Sequence, residues 1–397
     1  MQRTLRNRRF RSGTRASCEV TLIQTRAVVT WRTEGIDLIY VKTEDLKVGM
    51  RLARPIYNKR GILLYGRNDK ITRQGIESVK NFGLIGLYVL EPAEPLPPMS
   101  TEEMQFERFQ TMEVFRLRDE LNAIMAGKEP TKLMQATDDL LKQFGNLYHK
   151  ISFNQNLRSP EDYVYKHALN VAILSALISH RAGFGLMEQN EVVVAAFLHD
   201  LGKLNLQPQL RGKTENLTDE ERGQVARAVI LGIDKISNAF KLPAGVKSTL
   251  MNLCQVQYLP ENAPKNISDV VKVLVVANAY DEYTAMQIGM DPHTEIDAVR
   301  MLQSRPDLYD PDMVNHLLNS IKILYPGVCV ELTNHEKGLV LGENDRDILR
   351  PVVLGFDRNQ LYNLGLDSVF EQIQIKNIMK TMDNRIKIDP QRLKEYM

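Results

Sequence analysis

Three observations predict a mainly α-helical protein: an all-α central domain, preceded by a small α/β module and followed by a short β tail. From Asp162 to Tyr325 apolar residues recur at helical spacing, with Val164, Ala168, Val171, Ser175 and Ile178 on one stripe. From Leu38 to Glu91 short β-branched and aromatic runs alternate with turn residues around one helix-like segment. From Pro326 onward short apolar runs return, separated by Asn- and Gly-containing turns.

Each element has a local reason. In the first module Leu38–Val41 reads as a strand, Leu46–Met50 as a turn into a second, and Pro55–Leu64 as a hairpin with Asn58 to Gly61 in its turn. Thr72 caps a helix to about Phe82 that Gly83 closes, and Gly86–Leu90 is another strand. Pro92, Pro95, Pro97 and Pro98 make a stiff linker. Ser100 with Glu103 forms a capping box for a charged helix to about Ala126, and a second helix is expected over Thr131–His149. These helices are read as a spacer, or as a surface packing on the next domain or in a dimer. Glu191–Leu201 is apolar nearly all round and therefore buried, and Leu217–Glu221 opens a helix to about Ile236. Val270–Met286 begins β-branched, but its length favours a buried helix. Val328–Leu332, Gly338–Gly342 and Pro351–Leu354 read as strands. The chain thus divides into an Arg-rich extension over 1–37 expected to lack structure, a module over 38–91, a linker and helices over 92–150, the helical domain over 151–325, and a β-rich tail with a C-terminal helix over 326–397.

Composition narrows the function classes. A net charge of +2 gives no electrostatic ground for nucleic acid or an anionic membrane surface as partner. Cys18, Cys254 and Cys329 lie far apart and are odd in number, which excludes a disulfide framework and fits a cytoplasmic location. No apolar run reaches the roughly 18 residues of a membrane helix. The first 35 residues hold eight arginines, no lysine and the only tryptophan, Trp31, without the apolar stretch of a signal peptide. They are expected to be an unstructured tail or an over-extended start.

The chemistry concentrates at His199-Asp200, which ends an apolar helix and is followed by Gly202 and Lys203. A buried carboxylate needs a partner, and imidazole nitrogen with carboxylate oxygen suits Zn, Fe or Mn. His167, beside the core stripe of an earlier helix, supplies a third candidate ligand. Alone it would read as a satisfied core histidine; with the His-Asp-x-Gly-Lys run it points to a metal site. His180, His293, His316 and His335 lack partners at ligand spacing.

Tyr165–Val171 and Ala195–Lys203 resemble the HD superfamily of metal-dependent phosphohydrolases, and more narrowly its HD-GYP branch, whose active members hydrolyse cyclic di-GMP. Leu217–Glu221 with Gly232, the Tyr325-Pro326-Gly327 and Leu349–Val353 segments, and the module over Lys42–Val89 add to the likeness. The resemblance implies that His167, His199 and Asp200 ligate metal, that Asp200 bridges two ions, and that Lys203 steadies a phosphate.

The departures reshape that expectation. Where the branch has a further His followed by Pro, this chain has Ala228-Val229, and its two consecutive His fall on Cys254-Gln255. The Gly-Tyr-Pro of the branch meets Asn262-Ala263-Pro264, or alternatively Tyr258-Leu259-Pro260. The last Asp ligand is Asn278, a neutral donor; Asp281 one turn on could substitute, and Cys254 could be a soft ligand. Ala285–Met290 lacks the phosphate-holding Arg. With Ala228, Cys254, Gln255 and Asn278 changed, one divalent ion (Fe, Mn or Zn) at most is expected, held by His167, His199, Asp200 and Asn278, with Asp200 and Lys203 as catalytic candidates. The expectation is a signalling protein with weak or absent catalysis that takes a nucleotide, a cyclic dinucleotide or a protein partner. The alternative is an active metal-dependent phosphohydrolase on a nucleotide or cyclic di-GMP.

Overall fold

The computed structural model describes residues 19–23, 26–30, 38–57, 60–81, 86–90, 100–155, 158–214, 216–285, 293–357 and 359–379. The chain forms two compact units, one of Met1–Ile56 and Leu64–Pro98, the other of Tyr57–Leu63 and Met99–Met397. Within the Arg-rich stretch read as lacking structure, β1 (Glu19–Ile23) and β2 (Arg26–Thr30) pair antiparallel. No helix among the described residues is long and apolar enough to cross a membrane.

In the first unit β3 (Leu38–Lys42), β4 (Arg51–Leu52) and β7 (Gly86–Leu90) form a sheet in the order β3-β7-β4, both pairings antiparallel. β5 (Ile56–Tyr57) and β6 (Leu63–Tyr65) make the expected hairpin. Asn58 and Lys59 of its turn lie outside the described residues, as do Phe82, Gly83 and the four linker prolines. α1 (Arg73–Asn81) starts where predicted, Thr72 Oγ1 accepting from the Gly75 N–H at 3.1 Å. Leu46, Leu52, Ile56, Ile71, Val79 and Val89 are the core.

The second unit opens with α2 (Thr101–Met125), whose capping box closes with Ser100 and Glu103 as expected. α3 (Leu133–Phe144) ends short of the predicted His149, because Gly145-Asn146 ends the helical run. The helical body follows as α4 (Tyr163–Arg181), α5 (Leu186–Leu198), α6 (Pro208–Arg211), α7 (Asp219–Ala239), α8 (Val246–Tyr258), α9 (Asp269–Thr284), α10 (Glu295–Ser304) and α11 (Pro311–Leu318). α4 is central, packed by α2, α3, α5, α9 and α11. The β-branched start of α9 is helical because Val270, Val271, Val273 and Val276 are buried against α4, α5 and α8.

The tail is a larger sheet than predicted. β8 (Cys329–Leu332), β9 (Lys337–Gly342), β10 (Val352–Gly355), β11 (Gln360–Asn363) and β12 (Ile375–Met379) pair antiparallel in the order β11-β10-β9-β8-β12, with α12 (Asp367–Phe370) between the last two. β11 and β12 escaped prediction because they alternate weakly; β11 buries Tyr362, whose hydroxyl donates to buried Glu336 at 2.7 Å. The C-terminal helix is expected within 326–397 without bounds of its own, and residues 380–397 lie outside the described residues.

Candidate metal centre

The chain brings α4, the end of α5 and α9 to one buried point. α5 stops at Leu198 with His199 as its C-cap, and Asp200 leads into a tight turn over Leu201–Asn205. α7 crosses this turn backbone to backbone: a Cβ on Gly202 would stand 1.9 Å from the Ala228 carbonyl oxygen, and one on Gly232 would stand 2.6 Å from the Gly202 nitrogen. Two glycines are therefore what allows α7 to seat the His-Asp turn.

One ligand atom from each of His167, His199 and Asp200 lies within 4.8 Å of the others. The two imidazole Nε2 atoms are 3.1 Å apart, and Asn278 Oδ1 is 3.0 Å from that of His167 and 3.2 Å from that of His199. Asp200 Oδ2 stands 3.5 and 3.7 Å from the same two nitrogens. All four residues are buried.

The tautomers follow from what each Nδ1 faces. His199 Nδ1 is 2.8 Å from the Ala196 carbonyl, which only accepts, so that nitrogen carries the proton. His167 Nδ1 is 2.6 Å from Asp281 Oδ2 and donates to it. Both Nε2 atoms therefore present lone pairs. The Asn278 side chain turns Oδ1 to both imidazoles. Two lone-pair nitrogens thus meet an amide oxygen and a carboxylate, all electron-pair donors. Among the described residues no hydrogen bond of regular geometry reaches either Asp200 oxygen; the Lys203 Nζ ion pair lies 2.7 Å from Oδ2. The Lys203 ammonium compensates Asp200, and the N,N,O,O set suits a divalent transition ion.

The electrostatics agree. Burial lowers the His199 imidazole to about 4 against the pull of Asp200. Burial would raise Asp200, but Lys203 and then the two imidazoles bring it down to about 2. Both groups are in their ligating protonation states at neutral pH. Burial raises the Cys254 thiol to about 11, so it is a neutral thiol, and it stands outside the donor cluster.

Of the residues expected from sequence, His167, His199, Asp200, Asn278 and Lys203 come together. Asp281 does not substitute as a ligand. It sits behind His167, on Nδ1, where Arg158 and the imidazole hold it well below the usual carboxylate range despite burial. His180 lies edge-on to Tyr148, and His293 to Tyr283. Of the Arg-free segment only Ala285 is described.

Sequence reasoning missed several residues here. Tyr163 stacks on His167 with centroids 5.2 Å apart, and among the described residues its buried hydroxyl has no hydrogen-bond partner. Lys203 Nζ lies 5.9 Å from the Tyr163 ring centroid and 5.5 Å from that of Tyr258. Glu282, partly exposed, is raised by burial and opposed by Lys203. Arg158, Gln155, Asn170 and Gln110 form a polar cluster on the far side of His167. Asn170 alone carried a signal, as an amide three residues after His167 in an otherwise apolar helix.

Residues 164–281 match the HD domain family. The chain is 24% identical over 204 residues to cyclic di-GMP phosphodiesterase PA4108 of Pseudomonas aeruginosa, across 50% of this chain and 49% of that protein. It therefore spans about half the length of that curated relative. The structure is also similar to that of Bd1817, an HDG"Y"P protein from Bdellovibrio bacteriovorus, with a TM-score of 0.42 and 13% identity, over 71% of this chain and 98% of that one.

Proposed function

We propose, from the premise that residues 164–281 are an HD domain of the HD-GYP-like branch of the HD superfamily phosphohydrolases, that this chain is a signalling protein with a one-ion remnant of the phosphohydrolase site. It recognises a cyclic dinucleotide or related phosphate ester and turns it over slowly or not at all. The observation that carries this reading is the pair of facing Nε2 lone pairs at 3.1 Å, beside an Asp200 carboxylate that no hydrogen bond of regular geometry reaches among the described residues. His167, His199, Asp200 and Asn278 would hold the ion. When bound, a divalent ion supplies positive charge for a phosphate oxygen and acidifies water.

The chain's own residues limit the chemistry available at this site. Among the described residues Ala228 offers no ligand atom, Cys254 is a neutral thiol and Asn278 brings no charge, which supports one ion rather than two. Lys203 instead brings a fixed ammonium to Asp200, in position to meet a phosphate oxygen. Burial pulls its pKa down, but Asp200 together with Tyr258, Tyr163 and Glu282 raises it well above the usual lysine value, so it holds its proton and is no general base. Tyr163 and Tyr258 flank the ammonium, and among the described residues the Tyr163 hydroxyl has no hydrogen-bond partner.

Retention of Lys203 beside Asp200 favours a second reading, an active one-ion phosphohydrolase. Cyclic di-GMP binding by calorimetry and hydrolysis by chromatography, both in Mn2+ buffer with Lys203→Met alongside, separate the two. Binding that weakens in the variant, with hydrolysis orders of magnitude below that of a full two-ion enzyme, supports the signalling reading. Rapid hydrolysis lost in the variant supports the second, and neither binding nor hydrolysis contradicts both.

A further inference from the structure

We propose that Gln110, Gln155 and Arg158, which precede the matched HD segment, are positioning residues of the metal centre and set the affinity of His167 for a divalent ion. This rests on the one-ion reading of the site.

The two carboxylate oxygens of Asp281 have different work. Oδ1 accepts from Arg158 at 2.6 Å, from Gln155 Nε2 at 3.0 Å and from Asn170 Nδ2 at 3.1 Å. With Oδ1 saturated by three donors, Oδ2 is left aimed at His167 Nδ1, 2.6 Å away. That contact keeps the proton on Nδ1 and the lone pair on Nε2, the atom turned toward His199 and Asn278. A carboxylate behind a ligating imidazole fixes the ring and makes it a better donor, and losing such a partner typically weakens metal binding about 10–100-fold.

The cluster is built from outside the HD segment. Arg158 is fully buried, also donates to Gln155 Oε1 at 2.9 Å, and lies 5.5 Å from the Tyr163 ring centroid. A guanidinium taken wholly out of water is uncommon without a dedicated partner, and here that partner is the carboxylate that orients His167. Asn170 is aimed in turn from α2: its Oδ1 accepts from Gln110 Nε2 at 2.9 Å, and its Nδ2 donates to Gln155 Oε1 at 3.0 Å. Gln110 is buried and also reaches the Asn154 carbonyl at 3.3 Å. Residues 164–281 alone would keep His167, Asn170 and Asp281 and lose the groups that aim them. The metal centre is therefore incomplete without α2 and the segment that carries Gln155 and Arg158.

The test uses the full chain with Mn2+ as probe. Affinity is read by titration calorimetry, and the His167 tautomer by 15N NMR of the metal-free protein. Arg158→Met is expected to weaken Mn2+ binding about 10–100-fold and to convert His167 from one Nδ1–H tautomer to a mixture. Gln110→Leu, close in shape but without the amide, is expected to weaken binding in the same direction by less. Leu339→Ala, in the separate small core of the β tail, should lower the melting temperature and leave affinity and tautomer alone. Unchanged affinity and tautomer in folded Arg158→Met and Gln110→Leu overturn the proposal. Should Arg158→Met fail to fold, Arg158→Lys and Gln110→Leu decide by the same criteria. A wild-type chain that binds no Mn2+ refutes the one-ion reading, and the tautomer of the metal-free variants still decides this inference by itself.

Discussion

His167 and His199 face one another through Nε2 atoms 3.1 Å apart, with the proton of each ring committed to the opposite nitrogen. Two imidazoles that carry their protons on Nδ1 present only lone pairs to each other, and the nearby Asp200 and Asn278 oxygens add more. A cation at their centre turns a repulsive cluster into a stabilising one.

Asn278 sets how tightly that cation is held. Asn278→Asp adds a charged oxygen where the chain now has a neutral one, and is expected to raise Mn2+ affinity by roughly tenfold or more, since ligand charge tunes affinity. The same change should lower the melting temperature of the metal-free protein, because the new carboxylate would share the site with Asp200. Calorimetric titration and a thermal melt in chelator check the two halves. An unchanged affinity means that residue 278 does not reach the ion.

The metal-free protein should lose stability in mild acid. His199 has a folded pKa of about 4 against an ordinary 6.5, so between these values the unfolded chain binds more protons than the folded one. Stability is then full above about pH 6.5 and falls as pH drops toward 4, by about 3 kcal/mol at most. The depressed carboxyls of Asp200 and Asp281 extend the loss to still lower pH. Urea denaturation across pH 4–7 in chelator measures it, and His199→Gln should flatten the curve over this window. An equally steep variant would assign the loss to other groups.

Gly202→Ala should be severe. Its Cβ would meet the Ala228 carbonyl at 1.9 Å, and backbone on both sides cannot swing away as a side chain can. A loss on the order of 3 kcal/mol or more is expected, as for other overpacked sites. Chemical denaturation measures it. A loss under about 1 kcal/mol would show that α7 can shift off the His-Asp turn.

Much of the fold and site is legible in the sequence because it is local. His199-Asp200 at the end of an apolar run, the capping box at Ser100, and the buried length of α9 are all properties of short stretches. Asn278, singled out through the resemblance to the HD family, stands 3.0 and 3.2 Å from the two imidazoles, and its part in holding an ion is a proposal. The features that were not legible depend on distant pairing. Arg158 reads as a loop residue until Asp281, 123 positions on, closes on it. Gln110 looks like one more polar residue of a charged helix until Asn170, 60 positions away, meets it. β11 and β12 become strands by pairing with β10 and β8, and neither has an apolar pattern strong enough to stand out.

Metal content is the most direct test of the central claim. Elemental analysis of protein loaded with Mn, Fe or Zn and then desalted should give about one equivalent per chain, and His199→Ala, which removes one of two converging imidazoles, should give close to none. One equivalent lost in the variant is the result predicted here. Two equivalents would contradict the one-ion account, and none in the wild-type chain would contradict the metal centre itself.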